Sequence, residues 1–211
     1  MERWAGKVAV ITGASAGIGA AIARNLVKQG MIVAGFARRV EKIKEIADTL
    51  ENSSGKLHPV ECDITKEEDV IAAFVWVKNN LGPIGVLVNS AGITKESSLI
   101  DGSLEDWQSV FNVNILGLCL CTREAVRMMR ETAIEDAVII HVNSLAGERN
   151  ISPGLIATDF MASYSTFSAE AMAAMPTLDP DDVATAVIYV LSNPPHVLVQ
   201  DVVLRPLGES W

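Results

Sequence analysis

The sequence predicts an α/β protein whose parallel sheet is doubly wound, with helices on both faces. Three observations carry this. Lys7–Thr12 is a run of β-branched and small apolar residues that reads as a buried strand. A glycine-rich turn follows it and opens into Ile18–Gln29, where Ile18, Ile22 and Leu26 recur at helical spacing and Gly30 stops the helix. Strands and helices then keep alternating at the spacing of βαβ units, whose right-handed crossovers wind the sheet in both directions.

The remaining elements follow in order. Met31–Ala37 reads as a second strand. Glu41–Leu50 reads as an amphipathic helix with Ile43, Ile46 and Leu50 on one face. Leu57–Glu61 is a third strand. Lys66–Asn80 is a helix, with Thr65 as its expected N-cap and Glu68 three residues on. Val86–Asn89 is a short buried strand. Leu104–Arg130 reads as one long helix or two abutting ones, and Ala137–Val142 as a further strand. Beyond Asn150 the rhythm changes. Ile151–Ala162 reads as loop, Ser168–Met175 as a weak helix, and Val197–Leu204 as a last strand. Pro180–Ser192 is a firmer helix, with Asp181 and Asp182 where the helix dipole favours acids. No repeat, low-complexity tract or linker divides the chain, so residues 1–211 are expected to form one domain.

Composition narrows the function classes. Of 211 residues, 49% are hydrophobic and 20% charged, enough apolar material for a large core. Apolar runs such as Val8–Ile11, Met31–Val33, Val86–Val88 and Ala137–Ile140 are far too short to span a membrane. The opening Met1-Glu2-Arg3-Trp4 carries no basic-then-apolar signal, so a cytoplasmic location is expected. A net charge of −9 disfavours nucleic acid as a partner. Cys62, Cys119 and Cys121 lack metal-ligand spacing and read as reduced core residues, and no metal is expected.

The chemistry begins at Thr12-Gly13-Ala14-Ser15-Ala16-Gly17-Ile18-Gly19. Gly13 permits the tight turn, while Gly17 and Gly19 let backbone and ligand approach at the helix start. Unpaired N–H groups and the helix dipole there favour a pyrophosphate. The end of the second strand decides between cofactors. An acid about 20 residues beyond the glycines would take the ribose hydroxyls and repel a 2′-phosphate. Here Ala37 stands near that place and Arg38 and Arg39 follow it. Guanidinium groups suit phosphate, so NADP(H) is preferred to NAD(H).

The spacing Thr-Gly-x-x-x-Gly-x-Gly resembles that of the short-chain dehydrogenase/reductase family, and the Met1-Glu2-Arg3-Trp4 and Ala37-Arg38-Arg39-Val40-Glu41 stretches resemble its farnesol-dehydrogenase and 17β-hydroxysteroid-dehydrogenase-like branch. The resemblance covers nearly the whole chain. It implies a Rossmann-type fold and assigns the cofactor-binding residues Gly13, Ser15, Gly17, Ile18, Gly19, Arg38 and Arg39. Cys62-Asp63-Ile64-Thr65 is similar to the family's adenine-contacting segment, which adds Asp63 and Ile64. Asn89-Ser90-Ala91-Gly92 is similar to its Asn-Asn-Ala-Gly, with serine for the second asparagine, which adds Asn89, Ala91 and Gly92. Pro153, Gly154 and Thr158 resemble the segment that cradles the nicotinamide. Asn114 resembles the active-site asparagine that bends its helix and holds a water of the proton relay. Ser144 resembles the catalytic serine. The resemblance further implies hydride transfer to or from an alcohol or carbonyl carbon of a lipophilic substrate, an isoprenoid alcohol or steroid. The other conspicuous side chains read as structural: His141 as a buried strand histidine with a satisfied nitrogen, Glu148 and Asp159 as surface acids, Trp76 and Trp107 as packing residues.

One part of the family's machinery is absent. The resemblance implies a tyrosine after Ser144 and a lysine four residues beyond it, as general acid–base and its electrostatic partner. The only tyrosines are Tyr164 and Tyr189, followed four residues on by Ser168 and Asn193, and no lysine follows Lys95. Asn150 abuts Ile151 where a helix and a sixth strand should stand, about thirty residues or more, roughly a βαβ unit. Either the intact protein contains residues missing from this sequence, or the chain is truly shortened, as by a skipped exon. The shortened chain would bind NADP(H) without turnover. Its last strand should then pair with the fifth strand or leave apolar edges bare. An apolar patch should be exposed where the missing helix packed, which makes a homo-oligomer doubtful.

Overall fold

The structure, a computed structural model, describes residues 1–97, 100–134, 136–143, 151–153 (backbone only) and 176–207. A five-stranded parallel sheet runs through it in the order β3-β2-β1-β4-β5. Its strands are β1 (Val8–Thr12), β2 (Ile32–Ala37), β3 (Lys56–Glu61), β4 (Ile84–Asn89) and β5 (Val138–His141). Every residue of β1 and β4 is buried, as expected of strands covered on both faces. The order reverses direction at β1, where β2 lies on one side and β4 on the other. In such sheets that crevice, at the carboxyl ends of the strands, takes the ligand.

Period-two alternation along β1 divides the core. Ala9 and Ile11 face one layer, with Ile22 and Leu26 of α1 (Gly17–Lys28), Ile43 of α2 (Val40–Asp48), and Val183, Val187 and Leu191 of α6 (Pro180–Ser192). Val8 and Val10 face the other, with Val70, Phe74 and Val77 of α3 (Glu67–Asn80) and Cys121, Ala125 and Met128 of α5 (Leu118–Glu131). Phe36 and Phe74 meet edge to face there, with centroids 5.4 Å apart. The amino terminus ties α6 to the sheet: the Trp4 indole donates to the Leu191 carbonyl at 2.7 Å, satisfying one of the carbonyls a helix end leaves free.

Five expectations need correction. Ile151–Ala162 is not all loop, because Ile151–Pro153 forms a short strand, β6. Val197–Leu204 contracts to a strand of Val202–Leu204, β7. These two pair with each other in parallel, Ile151 opposite Val202 and Pro153 opposite Leu204, as a separate two-stranded ladder. The last strand therefore does not pair with β5; the three residues of β6 supply its partner. Thr65 does not cap α3. Its hydroxyl donates to Asp63 Oδ1 at 2.8 Å instead, and Lys66 stands at the cap without a side-chain bond. Finally, Cys119 is exposed and not a core residue.

The cysteine difference has a measurable consequence. Burial is the main cause that pushes the thiols of Cys62 and Cys121 up to about 12, so neither supplies thiolate at mildly alkaline pH. In the native protein one thiol, that of Cys119, should react quickly with a chromogenic disulfide, and the other two only on denaturation. Three fast thiols would contradict this packing.

Between α4 (Leu104–Phe111) and α5 the chain is neither one helix nor two simply abutting. The segment Asn112–Gly117 is π-helical. Leu104, Phe111, Ile115 and Leu116 on this stretch are exposed. Among the described residues, no helix is long and apolar enough to cross a membrane.

Candidate dinucleotide site

The turn after β1 is shaped by two glycines that cannot be replaced without strain. Gly13 has φ +71°, and a Cβ there would lie 2.8 Å from Ala91 Cα. A Cβ at Gly19 would run into the Gly13 carbonyl oxygen, so the first turn of α1 sits directly on the loop. Gly17, with φ 53°, starts the helix. Ser15 and Ile18 lie half-buried beside it, and Ile18 packs on the core. The N-cap, Ala16, offers no side-chain bond, and the first turn holds no acid. Its N–H groups thus lack both an intrahelical partner and a cap, with the positive end of the helix dipole behind them. That is the donor set a pyrophosphate needs, and here the residues present fit a dinucleotide.

We expect Gly19→Ala to destabilise the fold by about 1–3 kcal/mol, since backbone must move to admit the methyl group. Urea unfolding measures this, and unchanged stability would mean that the loop is looser than described.

The adjacent strand ends supply the rest. Arg38 and Arg39 are exposed just past β2. Asp63 follows β3, where its Oδ1 accepts from Thr65 N at 3.1 Å and Thr65 Oγ1 at 2.8 Å. Partial burial pushes the Asp63 carboxyl up. The Thr65 bonds and the charges of Arg38 and Lys66 outweigh it and hold the group below its ordinary value. Arg38 and Asp63 therefore act on each other across the ends of two neighbouring strands. Ile64 turns its side chain into the core against Gly117.

At the end of β4, the Thr12 hydroxyl accepts from Ser90 N and Ala91 N, both at 3.0 Å, and fastens the segment Asn89–Gly92 to the glycine turn. Asn89 is buried, and its Nδ2 lies 3.0 Å from Thr122 Oγ1 and 3.1 Å from His141 Nδ1. Its side chain is engaged within the protein and does not project into the crevice.

Asn114 lies in the π-helical segment. Its Oδ1 accepts from Ile93 N and its Nδ2 donates to Ile93 O, each at 2.9 Å. This pair of bonds explains the helix distortion: a polar side chain that would disfavour a helix interior is held by a loop backbone. The side chain clamps the strand-to-loop exit beside Gly92, and keeps one lone pair on Oδ1 and one hydrogen on Nδ2 beyond these two bonds.

Ser144, Gly154 and Thr158 lie outside the described residues, as do Glu148, Asp159, Tyr164 and the weak helix over 168–175. Pro153 ends β6. Tyr189 is exposed on α6. Sequence reasoning missed the Thr12 hydroxyl and the Asn89–Thr122–His141 cluster. A threonine closing an otherwise apolar strand was the one signal available, and the cluster had none, because its members meet only through the sheet and α5. Among the described residues, no cluster of His, Cys, Asp and Glu could hold a metal.

A parallel sheet with its crevice at the β1/β4 reversal, a bare helix start against a glycine turn, and arginines past β2 define a dinucleotide-binding α/β protein. Comparison with known proteins makes this specific. Residues 7–166 match the family model described as short chain dehydrogenase, and the chain belongs to the short-chain dehydrogenase/reductase family. It is 38% identical over 250 residues to bovine dehydrogenase/reductase SDR family member 11, covering 98% of each chain. It is 35% identical over 253 residues to the farnesol dehydrogenase of Aedes aegypti, covering 100% of each. An alcohol dehydrogenase from the archaeon Thermococcus sibiricus, solved with 5-hydroxy-NADP, superposes with a TM-score of 0.78 at 26% identity, over 97% of this chain and 98% of that one. The bovine alignment spans 250 residues and this chain has 211, so at least 39 aligned positions find no residue here. A gap of that size agrees with the helix–strand unit missing after Asn150.

Proposed function

We propose that the chain is one dinucleotide-binding domain that takes up NADP(H) across the carboxyl ends of β1 to β4, on the framework of an oxidoreductase acting on a lipophilic alcohol or carbonyl compound. The observation that carries the reading is the bare start of α1 packed on the Gly13 turn, with Arg38 and Arg39 beyond β2 and no acid at Ala37. The first-turn amides bind the pyrophosphate. Arg38 and Arg39 bind the 2′-phosphate. Asp63, held ionised, accepts from the adenine amino group, and Asn89–Gly92, fastened by Thr12, forms the floor of the site. When bound, the nicotinamide supplies the hydride donor or acceptor. Ser144 would hydrogen-bond the substrate oxygen, and Asn114 is a positioning residue that holds the Ile93 backbone. An isoprenoid alcohol or steroid-like substrate is supported by the name of the Aedes aegypti relative. Three free cysteines are consistent with a reducing compartment, the cytoplasm.

A second reading, cofactor binding without turnover, is favoured by one observation: the sequence has no tyrosine followed four residues on by lysine. A spectrophotometric assay with NADP⁺ and farnesol separates the two readings. Steady hydride transfer by the 211-residue chain supports the enzyme as it stands. NADPH uptake with no transfer supports the binding protein. Intact mass of the protein from its natural source shows which length the cell makes.

A further inference from the structure

We propose that His141 is a positioning residue for the cofactor site: as a neutral imidazole with its proton on Nε2, it accepts from the Asn89 amide and thereby sets which way that amide faces. Its effect on cofactor rests on the dinucleotide reading above, whereas the arrangement itself does not.

Asn89 and His141 are register partners on adjacent strands. Asn89 is only 3% exposed. Its Nδ2 faces two atoms, Thr122 Oγ1 at 3.0 Å and His141 Nδ1 at 3.1 Å, while its Oδ1 is buried without a partner. In this orientation two hydrogens meet two acceptors and one oxygen is left over. Reversed, the oxygen would accept twice, but an NH2 group with two donors would sit where Oδ1 now finds nothing. Two orphaned donors cost more than one under-used carbonyl oxygen, so the first orientation holds. It requires a lone pair on Nδ1 and hence the proton on Nε2.

A proton added to Nδ1 would set two donors against each other at 3.1 Å. The amide must then turn over, so that Oδ1 accepts from the imidazolium and from the Thr122 hydroxyl. That turn occurs at the root of the cofactor floor. The Asn89 carbonyl accepts from Val142 N at 2.9 Å, and the next two residues are the ones fastened to Thr12. Among the described residues, the polar group bonded to the ring is Asn89 from β4, itself held by Thr122 of α5, and no charged side chain acts on the ring. Burial holds its pKa below the ordinary value. Between the folded value and the ordinary one, the unfolded chain binds a proton that the folded chain does not. The arrangement is therefore fully favoured above the ordinary value and is lost as pH falls through the folded one.

Long-range nitrogen–proton NMR on the uniformly labelled chain tests this directly. We expect the His141 proton on Nε2 at neutral pH, and Asn89 side-chain amide signals that move with the same midpoint as the ring. His141→Asn places a neutral acceptor near the Nδ1 position and removes the titration. Between neutral pH and a pH below the ring's own NMR midpoint, NADPH affinity should then weaken by about threefold or more beyond the change seen in His141→Asn, as the competent orientation becomes the minor one. The 2′-phosphate titrates equally in both proteins and cancels. A neutral ring with its proton on Nδ1, or amide signals indifferent to the ring's titration, overturns the proposal whether or not NADPH binds. Parallel pH curves for the two proteins overturn its consequence for cofactor. Absence of NADPH binding in both counts instead against the dinucleotide reading.

Discussion

Inserting between Asn150 and Ile151 the segment of the Aedes aegypti farnesol dehydrogenase that aligns opposite the gap is expected to raise farnesol turnover with NADP⁺ by about 10²–10⁴-fold, the usual contribution of a positioned acid–base group. The chain holds the groups suited to cofactor binding but no tyrosine–lysine pair to move the proton on the substrate oxygen. The insertion also tests the architecture. β6 and β7 already pair in the register a longer sixth strand would extend, so the added residues should lengthen β6 and bring the ladder onto β5. The inserted helix should cover the apolar surface around Phe111, Ile115 and Leu116. The same insertion with phenylalanine in place of the tyrosine is the control and should gain nothing. A parent chain that already matches the relative's rate, or a control as fast as the insertion, would show that the proton is moved by another group.

The double substitution Arg38→Ala with Arg39→Ala should weaken NADPH by about 10- to 100-fold and NADH by far less, since a hydrogen bond to a charged group contributes about 1.5–3 kcal/mol and solvent holds this exposed pair to about one such bond in all. The two guanidinium groups are exposed, so the estimate belongs at the lower end in high salt and rises as salt is removed. Equal losses for NADPH and NADH would take away the basis for preferring the phosphorylated cofactor.

How far the sequence spoke depended on how local each constraint was. The glycine turn was legible because backbone geometry alone demands glycine at Gly13 and Gly19, and no distant partner changes that. The five sheet strands and the helices between them followed from periodicity, with ends displaced by a few residues. Where reading failed, a distant group had won. Thr65 looked like a cap until Asp63 took its hydroxyl. The π-helical step between α4 and α5 went unread because it depends on Asn114 reaching Ile93 and on Gly117 lying against Ile64, where a Cβ would stand 2.8 Å away. Ile151–Pro153 looked like loop because three residues ending in proline carry no strand pattern, and its partner lies some fifty residues on. Asn89 could be matched to a motif, but its true neighbours, Thr122 and His141, could not be read from spacing.

The account stands on a diphosphate seated at the bare amino end of α1, so the decisive measurement is isothermal calorimetry of the unaltered chain with NADPH. One saturable site, tighter than for NADH and weakened by salt, is the expected result. Heats that never saturate, or equal affinity for the two nucleotides in low salt, would contradict it.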